Sequence, residues 1–187
     1  MNGPVIGGII AAGEGRRLRE AGFAVPKPLV PVAGVPLIEG VVRNFVAADV
    51  LSLTVIVNED ERDCVEWLAA RFGALDFRFI VKTTASSLES FNRVLAAAPP
   101  GPILMSTVDA WCRPADFVGF VEAARRRPVD ATVLAVTPLV EDESPLWATL
   151  DDRGRIESLG GASGDVVTAG IYLVPEDRKS TRLNSSH

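Results

Sequence analysis

Histidine is all but missing from this sequence: the single one, His187, is the last of 187 residues. It closes a polar, aperiodic run, residues 178–187, that follows directly on an apolar strand pattern. That run reads as a non-native tail of the kind a translated cloning junction leaves, and such segments are set aside in fold reasoning. Without it no histidine remains. Ser-His-Asp and Cys-His nucleophilic catalysis and histidine-ligated zinc are then excluded. Cysteine is scarce as well: Cys64 and Cys112 are too few for a disulfide framework or a thiolate metal site. No apolar run reaches the roughly 18 residues of a membrane span, and the first residues lack the cationic-then-apolar pattern of a secretory leader. The expectation is a soluble, cytoplasmic protein. Positive charge is in the minority, 19 Lys and Arg against 24 Asp and Glu, for a net charge of −5. Setting aside Arg178, Lys179 and Arg182 in the tail leaves 16 against 24, a net of −8. So acidic a chain has no general electrostatic footprint for nucleic acid.

What is present is an ordinary globular composition, 48% hydrophobic and 23% charged, at a length that favours one domain with an adequate core. Residues 5–10 form a continuous β-branched run, as a buried parallel strand does. Residues 13–36 then dissolve into Gly, Pro and charge, and a loop that long inside a compact domain is usually functional. Helical spacing follows at residues 37–48, with Leu37, Val41, Val42, Phe45 and Val46 on one face. Beyond it the pattern alternates: strands at 51–57, 77–81, 103–108 and 131–136, and helices at 59–72, 86–97 and 114–127. After residue 136 only strands are predicted, at 146–150, 156–159 and 166–174. The alternation implies an α/β domain with a mainly parallel sheet and helices on both faces. Ligands bind such sheets beyond the carboxyl ends of the strands. The loop after the first strand and Asp109 after the fourth fall on that edge.

The strongest local signal is Gly8-Ile-Ile-Ala-Ala-Gly13-Glu-Gly15-Arg-Arg17-Leu18, followed by Pro26-Lys27-Pro28-Leu29. Glycines after a strand let backbone amides approach a phosphate closely and form an anion-binding nest. Arg17 and Lys27 add fixed positive charge where a triphosphate would lie. Neither the Gly-x4-Gly-Lys-Ser/Thr loop nor a full Gly-x-Gly-x-x-Gly pattern is present, since Leu18 takes its last position.

These residues resemble the sugar-phosphate nucleotidyltransferases, also called nucleotide-sugar pyrophosphorylases. Their signature has the form Leu-Ala-Ala-Gly-x-Gly-Ser/Thr-Arg-Leu, then Pro-Lys-Pro-Leu and a Val-x-Gly-x-Pro-Leu-Ile segment, here Val32-Ala-Gly34-Val-Pro36-Leu-Ile38. The resemblance runs in order from about residue 5 to 175 and is sharp in the first forty. It implies a Rossmann-like three-layer α/β/α sandwich with a mixed, mainly parallel central sheet over residues 1–177, incomplete at its C-terminus. It also implies Mg²⁺-dependent attack by a sugar-phosphate oxygen on the α-phosphorus of a nucleoside triphosphate, with release of pyrophosphate. By the resemblance Ala11, Ala12 and Gly13 contact the base, Gly15 and Arg17 the triphosphate, Lys27 bridges the reacting phosphates, and Asp109 holds Mg²⁺. The partners implied are a nucleoside triphosphate and a phosphorylated small molecule, with neither nucleic acid nor membrane. Because the nucleophile is already anionic, no general base is needed, and the work is positioning and charge neutralisation.

The chain also departs from that pattern. Arg16 stands where a small hydroxyl residue is usual, and Val108 where the family has Gly. Lys82 falls at a base-reading Gln position and Ser87 at a Gly. Ser86, Ser87 and Ser90 serve equally as helix-capping and surface residues. Where many members carry Glu-Lys-Pro, this chain has Gly160-Gly-Ala-Ser163, with no cation. Thr168 and Gly170 match a strand that lines the sugar pocket, and ordinary sheet packing is the alternative. Trp67, Trp111 and Trp147 read as core or pocket wall, and Cys112 as a small buried residue. Three readings stay open. One is sugar-phosphate nucleotidyl transfer, with a molybdopterin or isoprenoid-precursor guanylyl- or cytidylyltransferase as a close variant. Another is a nucleotide-binding module without turnover, and the last an inactive fragment.

Overall fold

The computed structural model describes residues 4–13, 15, 18, 20, 22, 25–140 and 145–177. Its centre is β1 (Ile6–Ala11), buried along its whole length. Parallel neighbours flank it: β4 (Ser52–Val57) on one side, with β5 (Asp76–Val81) beyond, and β6 (Ile103–Thr107) on the other. The sheet is mixed, because β10 (Val166–Val174) runs antiparallel to β6. β7 (Val133–Thr137) and β8 (Trp147–Leu150) both pair with β10, and β9 (Ile156–Leu159) pairs with β8.

Side chains alternate across this sheet and so build two cores. On one face Ile9, Leu53, Val55, Leu104 and Leu173 meet α1 (Leu37–Ala47), α2 (Asp63–Arg71) and α4 (Pro114–Arg125). On the other, Ile10, Ile56, Ile103, Met105 and Val174 meet only α3 (Ser87–Ala97), through Val94 and Leu95. Among the described residues the three-layer sandwich is therefore lopsided, with three helices against one.

Close approach on both faces depends on Gly7 and Gly8. A Cβ on Gly7 would lie 2.2 Å from Leu53 Cδ2 and 2.9 Å from Phe45 Cδ1, and one on Gly8 2.3 Å from Met105 Sδ and 2.8 Å from Val94 Cγ1. The space they leave is filled by α1 and α3. The inward stripe of α1 is Ile38, Val41, Val42 and Phe45, the i, i+3, i+4, i+7 spacing of a core-facing helix. Leu37 is only half-buried and Val46 faces solvent, which moves the expected face by one residue. Phe45 meets Phe117 of α4 edge to face, at 5.2 Å between ring centroids. Glu39, buried in α1, pairs with Arg43 on its own helix and with Arg71 of α2 at 3.0 Å, which ties the two helices together.

The long segment before α1 is less irregular than its sequence suggests. A 3₁₀ turn covers Lys27–Leu29, and β2 (Pro31–Val32) pairs antiparallel with β3 (Val35–Pro36) around Ala33 and Gly34. The helix expected over residues 59–72 starts later, after a 3₁₀ turn at Glu59–Glu61. Among the described residues no helix is long and apolar enough to cross a membrane.

Phe45 is fully buried in this arrangement, and truncating a core phenylalanine costs about 3–5 kcal/mol. Phe45→Ala is expected to lower unfolding stability by that amount in urea titrations, with the m-value unchanged. A loss under about 0.5 kcal/mol, the level of ordinary surface substitutions, would show that α1 is not anchored through this ring.

Candidate active site

The carboxyl ends of β1, β4, β5 and β6 point to one edge, and the loops leaving them supply the site. Asn58, at the end of β4, pins three of these ends together. Its amide donates to the Ala12 carbonyl at 3.4 Å, and its side-chain oxygen accepts from the Thr83 hydroxyl at 3.2 Å and the Asp60 amide at 3.0 Å. It is buried, so these bonds replace the water it would otherwise hold.

Lys27 is fixed from three directions. Gly15, at φ +58°, leaves so little room that a Cβ there would lie 2.9 Å from Lys27 Cβ. The Lys27 amide donates to Glu61 Oε1 at 3.3 Å, and Glu61 is buried beneath the loop. The Lys27 ammonium reaches Asp109 Oδ2 at 2.5 Å, joining loops 82 residues apart in sequence. This pair stays accessible, with the Lys27 side chain 24% and the Asp109 side chain 54% exposed.

Asp109 is braced from behind as well. Burial pushes its carboxyl up, but the charge and hydrogen bond of Lys27, the Thr107 hydroxyl and its own amide outweigh that and hold it below the ordinary carboxylate range. Thr107 is in turn confined by a bulge in β10. The register of β10 against β7 shifts between Thr168 and Tyr172, and Gly170 sits there at φ +75°. A Cβ on Gly170 would lie 2.4 Å from Thr107 Oγ1 and 3.2 Å from Ala110 Cβ. Only glycine fits both the conformation and the space.

The segment between β5 and α3 divides its predicted roles. Ser86 caps α3 by accepting from the Glu89 amide, and the Glu89 carboxylate accepts from the amide of Ala85, one residue before the cap, a variant of the capping box. Ser90 is buried against the Thr84 hydroxyl at 2.6 Å. Those two serines are structural. Ser87 instead faces a cavity of about 420 Å³ between α3 and the sheet, walled also by Thr107, Leu134, Leu146, Leu159 and Tyr172. Lys82 is exposed, with its ammonium 3.8 Å from Glu59 Oε1.

Of the residues singled out from sequence, Gly15, Lys27 and Asp109 converge through direct contacts, Gly170 joins them through Thr107, and Ser87 shares the cavity wall with Thr107. Ala11 and Ala12 are buried, so what they can offer a ligand is main chain, and Gly13 is exposed beside them. Thr168 is a half-buried sheet residue paired with Val136, its amide bonded to the Leu146 carbonyl. Arg16 and Arg17 lie outside the described residues, as do the acidic residues 141–143 and the tail 178–187. Trp111 is neither core nor enclosed wall: it is 61% exposed, because the turn after Asp109 carries it outward. Cys112 is half-buried, and Asn44 donates to its carbonyl. Burial, then the Glu61 carboxylate, push the Cys64 thiol up to about 12, so it is no nucleophile at neutral pH. Sequence reasoning missed Asn58, Glu61 and Thr107. Their one signal is their position at or just past a strand's carboxyl end.

The bracing of Asp109 gives a pH prediction. In the wild type its folded pKa lies below the unfolded value, so it adds stability above about pH 4 that is lost as pH falls. Lys27→Met removes the largest of the influences that offset the burial, leaving only Thr107 and the amide. The Asp109 pKa, followed by carboxyl-carbon NMR, is expected to rise, and the stability gap to wild type to be largest at neutral pH and to shrink on acidification. An unchanged Asp109 titration in Lys27→Met would contradict the pairing.

A family model described as the MobA-like NTP transferase domain matches residues 7–170. A mannose-1-phosphate guanyltransferase of Gibberella zeae is 34% identical over 111 residues, 56% of this chain and 30% of that protein. A CMP-5'-(3-aminopropyl)phosphonate synthase of Streptomyces rubellomurinus is 24% identical over 184 residues, 92% of this chain and 28% of the other. The chain thus spans less than a third of the length of these two relatives. Among solved structures, a Bacillus anthracis protein assigned as a glucose-1-phosphate thymidylyltransferase superposes with a TM-score of 0.84 at 18% identity, covering 98% of this chain and 76% of that one. That likeness establishes the same Rossmann-like sandwich. With the family match running from β1 through the strand-end loops to Gly170, this chain belongs to the MobA-like NTP transferase domain family.

Proposed function

We propose that this domain transfers a nucleotidyl group from a nucleoside triphosphate to a sugar phosphate or related alcohol phosphate. The observation that carries the proposal is the accessible Lys27–Asp109 pair, assembled at the strand-end edge from two distant loops and braced on every buried side. Membership of an NTP transferase family supports the same reading. The names of the relatives span sugar phosphates and an aminopropylphosphonate, so the acceptor class is wider than hexoses.

An oxygen of the acceptor phosphate attacks the α-phosphorus, the bond from that phosphorus to the bridging oxygen of the β-phosphate breaks, and pyrophosphate leaves with the electron pair. The attacking oxygen is already anionic, so no proton has to be removed. Lys27 neutralises charge on the reacting phosphates, and Gly15 with Arg17 holds the rest of the triphosphate. Main chain at Ala11, Ala12 and Gly13 and the side chain of Lys82 face the base, while Thr168, Gly170 and the cavity-wall Ser87 border the acceptor.

Mg²⁺ suits this donor set. It is commonly held by one or two carboxylates together with phosphate oxygens, and Asp109 supplies one such carboxylate beside the phosphate loop. When bound, the ion neutralises phosphate charge as a Lewis acid.

Calorimetric titration with Mg²⁺ and each of the four nucleoside triphosphates tests the assignment. Lys27→Ala and Arg17→Ala are expected to weaken the preferred nucleotide about 10- to 100-fold, the worth of a charge-assisted hydrogen bond, and Arg16→Ala far less. Asp109→Asn is expected to lower pyrophosphate release about 100-fold or more, several kcal/mol of charge stabilisation. Nucleotide affinity indifferent to Lys27→Ala, or turnover within a few-fold of wild type in Asp109→Asn, would remove these residues from the site.

A further inference from the structure

The cavity beside the ion pair is chemically one-sided. Among the described residues, Ser87, Thr107, Thr132 and Tyr172 bring the only side-chain hydroxyls to its wall, none of the lining side chains is charged, and the rest are aliphatic or phenyl. Thr107 already gives its hydroxyl proton to Asp109. The same residue therefore joins the cavity to the reacting edge, so whatever sits in the cavity lies next to Lys27 and Asp109.

Its mouth is apolar too. Leu88 of α3 is 62% exposed, Leu159 of β9 51% and Leu146, just before β8, 44%. Exposed leucines from three separate elements converging on one opening mark a binding surface better than scattered ones do. A cavity of about 420 Å³ also falls within the 300–1,000 Å³ range of small-molecule sites.

We infer that the acceptor's phosphate sits at Lys27 while its organic part, an alkyl or aryl group and not a polyhydroxylated sugar ring, fills this cavity. The inference rests on the nucleotidyl-transfer reading and narrows its acceptor. A hexose brings several hydroxyls, each of which needs a partner once it leaves water. Among the described residues the wall has too few to offer, since Thr107 is already engaged with Asp109. An apolar body has no such requirement, and its burial removes the exposed leucine surface from water.

The test titrates the full 187-residue chain with phenyl phosphate, 3-methylbutyl phosphate and glucose 1-phosphate, each with and without Mg²⁺ and nucleoside triphosphate. Both apolar phosphates are expected to bind about tenfold or more tightly than glucose 1-phosphate, the worth of roughly two buried methylenes. A Leu146→Gln/Leu159→Gln variant, altered only at exposed side chains, is expected to lose that preference while keeping its melting temperature and its nucleotide affinity. Leu88→Gln is expected to act in the same direction. Glucose 1-phosphate binding equally or better, a preference untouched by the substitutions, or a variant that only dissolves a dimer would each overturn the inference. Nucleoside triphosphate is titrated separately so that the two failures can be told apart. No nucleotide binding would overturn nucleotidyl transfer and this inference together, and nucleotide binding without the acceptor preference would overturn this inference alone.

Discussion

A lysine and a carboxylate from loops 82 residues apart meet at 2.5 Å on an edge open to water, and the surrounding structure is arranged to make that meeting possible. An ion pair this exposed contributes only about 0–1 kcal/mol to stability. The folding free energy resides elsewhere, in the two cores that Gly7 and Gly8 let close on both faces of β1. The site is a small polar arrangement held by a large apolar one. Gly15 yields space to the Lys27 stem, Glu61 takes the Lys27 amide, Thr107 takes Asp109, and Gly170 yields space to Thr107. Each support acts at a single residue, and the two glycines act by what they lack.

The lopsided sandwich shapes the rest. Among the described residues three helices bury one face of the sheet, whereas α3 alone covers the other, with the cavity between its first turns and β6, β7 and β10. The β10 bulge at Gly170 lies beside the same wall, so one irregularity in one strand both makes room for the Asp109 loop and borders the pocket. Positioning and ligand space thus come from the same departure from regular pairing.

Much of this is legible in the sequence because it rests on local pattern. The β-branched run of β1, the spacing of α1 and the Ser86 start of α3 each declare themselves within a dozen residues. Lys27 and Asp109 are also legible, as a cation after a glycine loop and a carboxylate at a strand end, but that they touch is not, because no local pattern encodes an 82-residue separation. The supports were hidden for the same reason. Asn58, Glu61 and Thr107 are ordinary residue types whose roles follow from strand order, and Gly170 looks like any strand glycine until its neighbour Thr107 is known. The short β2–β3 ribbon escaped because two-residue strands carry no periodicity. Trp111 runs against the expectation because large aromatic side chains are mostly buried, and here the turn after Asp109 overrides that tendency.

The central claim is that the Lys27–Asp109 edge is where triphosphate and metal bind. A crystal structure of the chain with Mg²⁺ and a nonhydrolysable α,β-methylene nucleoside triphosphate tests it most directly. The account predicts phosphates against the Gly13–Gly15 loop, the Lys27 ammonium moved from Asp109 onto a phosphate oxygen, and the Asp109 carboxylate facing the cation. Nucleotide bound elsewhere, with the ion pair intact beside it, would contradict it.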